Sequence, residues 1–291
     1  MNYFAVVTDS TSNLAPDLAE QYDVDVIPLN IRWGDESFLD GVTLEADTFY
    51  RWLKERKELP KTSQPSAGAF VAFFEEVAER QQVDTILGIF ISSEMSGTLA
   101  SALQARAELA TTRPDLHIEL LDSRSVSMGL GVQVLVAARA LKAGKTLEET
   151  LALVKQCSDS SDVIFAVETL EYLRRGGRIG GAAMLLGSAL NLKPVLTIVD
   201  GRIEPLEKVR SRRKSLRRVV EIIEKRWTGR QPTEIAIIQA QAGDDLVRFA
   251  QLVASRIPCD KSCTRVLTPV VGTHVGPGTI GMVAYALDEE L

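Results

Sequence analysis

A repeated pattern of apolar strand, polar loop and helix is the feature that most constrains how this chain folds. Three apolar segments each run directly into a loop that begins with acidic or hydroxyl side chains and leads to a helical segment. They are Phe4–Thr8 with Asp9-Ser10, Thr85–Ile91 with Ser92-Ser93, and His117–Leu121 with Asp122-Ser123. Strands that alternate with helices form parallel sheets, and ligands bind at the carboxyl ends of such strands. We therefore predict an N-terminal, mainly parallel sheet flanked by helices, with its polar loops at one edge.

The second half follows a different pattern. Pro194–Val199 and Ile203–Lys208 flank Asp200-Gly201, a dipeptide typical of a two-residue hairpin. A hairpin makes antiparallel neighbours, so this half should contain a mixed sheet with helices. A length of 291 residues with 45% hydrophobic and 25% charged residues suits two globular domains. We predict an α/β fold with two α/β domains, residues 1–158 and 159–291.

Composition argues against several classes of protein. The longest apolar stretch, Val126–Leu141, is interrupted by Gln133 and Arg139, so we expect no membrane span. The N-terminus has no secretory pattern, and three cysteines are too few and odd in number for a disulfide framework. With only two histidines, we expect neither a metal nor a cofactor, and we expect a cytoplasmic protein.

Hydroxyl side chains cluster just before predicted helices. Hydroxyls at such positions donate hydrogen bonds to a carboxylate or phosphate, and the backbone N–H groups of the helix start add to them. The same residue types are the usual N-caps of helices, so each one alone is equally explained as a cap. The cluster comprises Thr62, Ser63, Ser92, Ser93, Ser96 and Thr98.

Catalytic motifs are missing from the sequence. Neither the Gly-x-Ser-x-Gly nucleophile pattern nor a phosphate-binding P-loop occurs, and no carboxylate is evident to orient His274. We therefore predict a binding protein and not an enzyme. The alternative is a hydrolase or phosphotransferase that acts on an acyl substrate with Ser93 and His274.

Two basic segments have competing interpretations. Lys208–Arg218 has the composition of a nucleic-acid contact, but its charges also form the polar face of an amphipathic helix, which we favour, so we expect no nucleic-acid partner. The segment Arg174–Gly181 is either a helix C-cap with Gly176 at positive φ or an exposed cationic loop for a partner or an anion. Its candidate partner-docking residues are Arg174, Arg175 and Arg178.

Seven short motifs in order resemble the DegV family, bacterial fatty-acid-binding proteins. The resemblance covers nearly the whole chain, and its specificity comes from the motifs occurring in register. They are Thr8-Asp9-Ser10, Thr62-Ser63-Gln64-Pro65-Ser66, Ser92-Ser93-Glu94-Met95-Ser96-Gly97-Thr98, Asp122-Ser123, Leu173-Arg174-Arg175-Gly176-Gly177-Arg178-Ile179, Lys193-Pro194 and Gly272-Thr273-His274-Val275-Gly276-Pro277-Gly278.

The resemblance implies a function and a site. Proteins of this family hold a long-chain fatty acid between two α/β domains and present its carboxylate to a separate ATP-dependent fatty acid kinase, which makes an acyl phosphate for phospholipid synthesis. Carried onto this chain, Thr62 and Ser93 would bind the carboxylate with the backbone N–H of Glu94, next to Ser63. His274 would act close by, and Arg175 or a neighbouring arginine would face the kinase.

Two features qualify that picture. Family members often have Gly or a basic residue where this chain has Glu94, and a carboxylate beside a carboxylate site weakens binding unless it points to solvent. The apolar helix that we predict over Ala182–Leu190 would line the tail tunnel through Ala183, Met184 and Leu186, or else simply belong to the core. Burial of a C16 tail contributes about 12 kcal/mol gross, from about 0.8 kcal/mol per methylene.

Overall fold

The computed structural model describes residues 4–187, 192–289 and 291. Ten α-helices lie within these residues. They are α1 (Pro16–Gln21), α2 (Ala46–Glu55), α3 (Ala67–Gln81), α4 (Thr98–Thr112), α5 (Met128–Lys142), α6 (Leu147–Ser160), α7 (Glu171–Arg175), α8 (Arg212–Arg226), α9 (Asp244–Arg256) and α10 (Pro269–Val275). Short 3₁₀ helices cover Ser10–Ser12 and Gly180–Leu185. None of these helices combines the length and apolarity needed to cross a bilayer.

Thirteen strands of the described chain form three sheets. They are β1 (Ala5–Asp9), β2 (Asp25–Ile27), β3 (Asn30–Trp33), β4 (Glu36–Leu39), β5 (Lys61–Ser63), β6 (Thr85–Phe90), β7 (His117–Asp122), β8 (Asp162–Ala166), β9 (Val195–Val199), β10 (Arg202–Glu207), β11 (Glu234–Gln239), β12 (Ser262–Val266) and β13 (Ile280–Tyr285). The first sheet is parallel, in the order β2-β1-β6-β7, and the second is mixed, in the order β10-β9-β8-β13-β11-β12. The predicted fold class is therefore confirmed.

A third, small antiparallel sheet was not predicted. β3 lies between β4 and β5, and Ile31 pairs with Thr62. Strand β5 has only three residues, and a segment this short shows too little periodicity for a strand to be predicted. This sheet matters because β5 places Thr62, which is half-buried, and Ser63, which is exposed, at the edge of the candidate site.

Local signals explain the elements that hold the site. Asp200 and Gly201 have φ values of 51° and 78°, so the predicted hairpin joins β9 to β10 through a two-residue turn with both central residues left-handed. Thr146 and Glu149 form the expected capping box of α6. The N-caps of α3 and α4 are Ser66 and Gly97. Neither belongs to the hydroxyl cluster, so no hydroxyl of that cluster is the N-cap of these two helices.

Buried apolar side chains form three layers. α3 and α4 cover one face of the parallel sheet, while α8 and α9 cover the outer face of the mixed sheet. Between the sheets, α5, α6 and α10 pack with residues of both halves, including Leu87, Val134 and Val283. The two sheets thus share a core, and the boundary at 158/159 stays a prediction.

Candidate functional site

The centre of the candidate site is a contact between residues 212 positions apart. Thr62 Oγ1 on β5 lies 2.8 Å from His274 Nε2 on α10. Helix α10 is held where it begins and in its middle: Asp40 accepts a hydrogen bond from the backbone N–H of Val270, and Gly272 packs so tightly that an added Cβ would lie 2.5 Å from Tyr50 Oη. The small sheet and α10 together therefore fix the Thr62–His274 pair.

The imidazole of His274 is neutral and has one favoured tautomer. Burial, with a smaller contribution from the Arg178 guanidinium, lowers the pKa of His274 to about 4. Its Nδ1 atom is buried, has no hydrogen-bond partner among the described residues, and faces Gly176, where a Cβ would lie 2.2 Å from it. A buried N–H without an acceptor is rarer than an unsatisfied acceptor. We therefore assign the proton to Nε2, which donates to Thr62 and leaves the Thr62 hydroxyl free to donate elsewhere.

The Thr62–His274 pair lines an apolar cavity of about 60 Å³. Its polar lining residues are Thr11, Thr62, Ser63, Gln64, Ser96, Arg178 and His274. Its apolar wall is formed by residues of both halves of the chain, namely Leu29, Ile91, Met95, Val126, Leu173, Ile203, Val270, Val271 and Val275. An apolar space that also has a few polar groups suits an amphipathic ligand.

The same pair also lines an open depression of about 390 Å³. Thr62 and His274 line both spaces, so they form the partition between them. The depression also contains the side chains of Lys61, Arg175 and Arg178, and no carboxylate lines it among the described residues. Arg178 lines both spaces, whereas Lys61 and Arg175 line only the depression, so the depression has more positive charge than the cavity.

Two buried carboxylates stand behind the cavity wall. Asp9 accepts hydrogen bonds from the backbone N–H groups of Thr11 and Ile91, which both line the cavity. Asp40 accepts from Ser10 Oγ and from Val270 N–H. Burial raises the pKa of Asp9 and raises the pKa of Asp40 to about 6. Asp9 thus ties together two loops of the first half, and Asp40 ties the first half to α10 of the second.

Ser93 and Glu94 lie outside both spaces. Ser93 is exposed, and its Oγ donates to Asp122 Oδ2 at 2.5 Å. The backbone N–H of Glu94 donates to Ser92 Oγ at 3.2 Å, and its carboxylate pairs with Arg202 at 2.5 Å. These contacts hold Ser93 and Glu94 outside both spaces, whereas Ser96 of the same loop lines the cavity, and the role of Ser93 and Glu94 in a carboxylate clamp stays a prediction. Because Ser93 bonds to Asp122 and His274 bonds to Thr62, the Ser93–His274 pair required by the hydrolase alternative is not formed.

A hairpin seam joins the two halves beside the cavity. We use this name for the contacts of the β9–β10 turn with the loop after β6 and with Arg124. Ser92 Oγ donates to Gly201 O at 2.8 Å, Arg202 pairs with Glu94, and Arg124 pairs with Asp200 at 3.0 Å. Glu94 thus points away from the cavity, which removes the expected conflict with an anionic ligand.

The arginines of the turn after α7 make two kinds of contact. Arg174 and Arg175 both pair with Glu171, and their side chains are more than half exposed. Arg178 instead stays exposed but reaches across to the loop after β6, where its Nε donates to Met95 O at 3.0 Å, and its Nη1 donates to Gly176 O. Gly177, with φ at 71°, makes this reversal, whereas Gly176 has φ at −74° and not the positive φ that we expected. Sequence reasoning had grouped Arg178 with the docking residues, but it lines the cavity.

The predicted tail-lining residues lie on the surface. The segment Gly180–Leu185 is a 3₁₀ helix, with three residues per turn, so Ala182 and Leu185 share its buried side. Ala183, Met184 and Leu186 are exposed, and none of them lines the cavity. The expected α-helix over 182–190 is thus wrong for its first turns, and residues 188–190 lie outside the described part of the chain.

Three of the seven basic residues of the segment Lys208–Arg218 form ion pairs within the described chain, namely Arg212, Arg217 and Arg218. On α8, Arg218 contacts Glu207 and Glu221, and Arg212 contacts Asp245. Within the described residues, no group of three or more His, Cys, Asp or Glu side chains is placed to hold a metal ion.

Comparison with known proteins identifies the family. Residues 3–287 match the sequence model of DegV, a family described as uncharacterised. The chain belongs to the DegV family. A DegV domain-containing protein of Clostridium perfringens is 34% identical over 281 residues, which is 97% of this chain and 98% of the relative.

Solved structures of the DegV family have the same fold. A fatty-acid-binding DegV family protein of Thermus thermophilus matches with a TM-score of 0.89 and 33% identity, covering 98% of this chain and 100% of that one. DegV of Bacillus subtilis, described as a fatty acid binding protein, matches with a TM-score of 0.87 and 29% identity, covering 98% and 100%. A stearic acid-binding protein of Eubacterium ventriosum matches with a TM-score of 0.89 and 25% identity, covering 97% and 98%.

Proposed function

We propose that this DegV protein is a cytoplasmic carrier that binds a long-chain fatty acid and presents its carboxylate to a separate ATP-dependent fatty acid kinase. The observation that carries the proposal is the Thr62–His274 partition, which has an apolar cavity on one side and an open cationic depression on the other. An acyl tail suits the first space, and a carboxylate at the partition is within reach of the second. The fatty-acid-binding relatives support this assignment.

The head group would be held by Thr62, Ser63, Ser96 and Arg178. The Thr62 hydroxyl is free to donate because His274 Nε2–H donates to its oxygen. Hydrogen bonds to a charged group contribute about 1.5–3 kcal/mol each. Arg178 supplies the positive charge, since Nη2 makes no hydrogen bond among the described residues while Nε and Nη1 are engaged. His274 is neutral at physiological pH and therefore orients Thr62 without adding charge.

The tail requires the cavity to widen. Pockets for drug-sized ligands occupy about 300–1,000 Å³, whereas this cavity encloses about 60 Å³. The wall combines residues of both halves, so a local movement of the β9–β10 turn away from the loop after β6, along the hairpin seam, would enlarge the cavity while the shared core stays packed. Apolar burial then supplies most of the affinity, and the head-group contacts select for a carboxylate.

The phosphoryl transfer itself would take place with the partner kinase. One carboxylate oxygen of the fatty acid forms a bond to the γ-phosphorus of ATP, the bond from that phosphorus to the bridging oxygen of ADP breaks, and the products are acyl phosphate and ADP. This chain would contribute orientation of the nucleophile. Arg174, exposed beside Glu171, is the docking candidate that lines neither space.

The test compares Thr62→Val with Thr62→Ser. Loss of the hydroxyl should weaken binding of a C16 or C18 fatty acid by at least tenfold, as expected for one charge-assisted hydrogen bond, while serine should stay within about threefold of wild type. Titration calorimetry or displacement of a fluorescent fatty acid measures the affinity, and circular dichroism checks the fold.

Further measurements separate the alternatives. Mass spectrometry of the purified wild type should find bound fatty acid, and a protein that neither contains nor takes up fatty acid would contradict the proposal. Acyl phosphate should form only when kinase and ATP are both present, and Arg174→Ala should slow that reaction without changing fatty-acid affinity. Turnover of acyl esters by the isolated chain, abolished by Ser93→Ala, would support the hydrolase alternative instead.

A further inference from the structure

A second pocket lies apart from the apolar cavity and the open depression. It has a volume of about 610 Å³ and shares no lining residue with either of them. Its walls come from residues within 10–28 and 40–46 of the first half and within 265–269 of the second. We call it the α1–α2 pocket, because it adjoins the starts of those two helices. Its volume is within the range of small-molecule sites.

Arg265 brings an unsatisfied cation to the α1–α2 pocket. Its Nε is buried and has no hydrogen-bond partner among the described residues, and its Nη1 donates to the neighbouring Thr264 O at 3.2 Å. A guanidinium has five N–H donors and no acceptor, and a buried donor without a partner costs about 1–3 kcal/mol. A ligand in this pocket should therefore offer an acceptor, and a carboxylate is the acceptor that best fits a guanidinium.

Two carboxylates line the same pocket and set a second requirement. Asp40 is 2% exposed, and its oxygens accept hydrogen bonds from Ser10 Oγ and from the backbone N–H of Val270. Glu45 is exposed directly before α2. Within the described chain, neither carboxylate forms an ion pair with Arg265 or with any other cation. Unpaired carboxylates attract an ammonium group and repel a simple anion, so the pocket favours a ligand that carries both charges.

Apolar side chains form the rest of the pocket. Val42 and Val266 line it with 63% and 41% of their surfaces exposed, so both would lose contact with water when a ligand binds. Leu14, Val24 and Val26 continue the same apolar lining. Burial contributes about 0.8 kcal/mol per methylene, so these residues select for a ligand that has an apolar side chain.

We propose that the α1–α2 pocket binds a free α-amino acid with an apolar side chain. Its carboxylate contacts Arg265, and its ammonium group contacts Asp40 and Glu45. The inference does not rest on the proposed fatty-acid function, since no residue lines both the pocket and the cavity. The two sites are nevertheless adjacent along the chain, because Pro269 lines the pocket and the next residue, Val270, lines the cavity.

The experiment uses the full chain with L-leucine as the probe. Titration calorimetry or ligand-observed NMR should find a dissociation constant below about 1 mM for wild type. Three analogues each lack one recognised group: glycine lacks the side chain, leucinamide lacks the carboxylate and N-acetyl-leucine lacks the ammonium group. Each analogue should bind at least tenfold more weakly than leucine.

Variants assign the contacts to residues. Arg265→Met and Glu45→Gln should each lower leucine affinity at least fivefold, because each removes one charged partner of the ligand. Arg248→Met and Glu55→Gln are the matched controls, since they remove exposed charges that do not line the pocket, and they should bind leucine as wild type. If Arg265→Met does not fold, leucine and leucinamide compared on wild type test the same contact.

The outcomes that would overturn the site are distinct from a failure of the proposed function. Absence of leucine binding, equal affinity for leucine and its charge-deficient analogues, or equal losses in variants and controls would each overturn it. Competitive displacement of leucine by a saturating fatty acid would also overturn it, because leucine would then occupy the cavity. Fatty-acid binding without leucine binding contradicts only this site, whereas leucine binding without fatty-acid binding contradicts only the proposed function.

Discussion

The two sides of the Thr62–His274 partition are built from different chemistry. The inner cavity has an aliphatic wall and about 60 Å³ of space, whereas the outer depression has three cationic side chains and about 390 Å³. Apolar burial is non-directional and grows with area, while the charged contacts depend on position and on salt. The difference teaches that the apolar wall and the cations contribute separately: Lys61 and Arg175 line only the depression, the aliphatic side chains line the cavity, and Arg178 lines both spaces.

The largest effect is expected from filling the inner side. Val271→Trp adds an indole to a cavity that has no room for it, so the acyl chain is excluded and fatty-acid affinity should fall by at least 100-fold. Displacement of a fluorescent fatty acid measures the change. Val247→Trp, at a surface position that lines neither space, is the control and should bind as wild type. Unchanged fatty-acid affinity of Val271→Trp would show that the acyl chain does not occupy the inner cavity, and would contradict the assignment of apolar binding to that side.

The partition itself is expected to respond to pH through two groups with opposite signs. Asp40 has a raised pKa of about 6 in the folded protein. Its ionisation therefore lowers the free energy of unfolding by about 3 kcal/mol above pH 6, and this loss of stability disappears as the pH falls toward 4. His274 has a lowered pKa of about 4, so the unfolded chain takes up its proton first. Its contribution to stability is complete above about pH 6.5 and is lost as the pH falls to 4.

Single variants separate the two groups. From pH 7 to pH 4, the unfolding free energy of Asp40→Asn relative to wild type should fall by about 3 kcal/mol, and that of His274→Gln should rise by a similar amount. Urea denaturation at each pH measures both differences. Other titratable or charged groups lie near Asp40, namely Asp9, Tyr50 and Arg265. Because these groups are the same in the variants and in wild type, the test compares each variant with wild type at the same pH and does not use absolute unfolding free energies. Parallel changes in the two variants would contradict the assignment of a buried neutral imidazole.

The smallest effect is expected at the hairpin seam. Exposed ion pairs contribute about 0–1 kcal/mol, so Glu94→Gln should speed fatty-acid dissociation about two- to fivefold at low salt and less at high salt. Stopped-flow release into acceptor vesicles measures the rate. Lys155→Gln is the control. It removes an exposed ion pair with Asp159, lines neither space and should leave the dissociation rate unchanged. Slower release by Glu94→Gln would show that the seam does not restrain the cavity.

The sequence predicts the architecture well because its periodic signals are strong. The parallel sheet, the mixed sheet and the hairpin at Asp200-Gly201 all follow from local patterns. The contact between Thr62 and His274 does not, since 212 residues separate them and only the resemblance to a family placed them together. Tertiary packing decides such pairs, and no local propensity encodes them.

The contacts that the sequence patterns did not predict have identifiable physical causes. Ser93 follows β6 and Asp122 ends β7, and these strands are parallel neighbours, so their loops meet and Asp122 takes the hydroxyl of Ser93. Sequence reasoning placed both at the same edge without considering that one would bind the other. At Met184, a 3₁₀ repeat replaced the expected α-helical one and turned the side chain outward. At Arg178, the Gly176-Gly177 pair was the available signal for a chain reversal.

The small volume of the inner cavity has a consequence for the time course of loading. If the proposed function holds, a space of about 60 Å³ would admit a long acyl chain only after the wall moves at the hairpin seam. Opening would then precede binding, and the observed loading rate should rise with fatty-acid concentration only until opening itself becomes limiting. The plateau rate would report how often the cavity opens, which is a property of the protein's internal motion and not of how much lipid surrounds it.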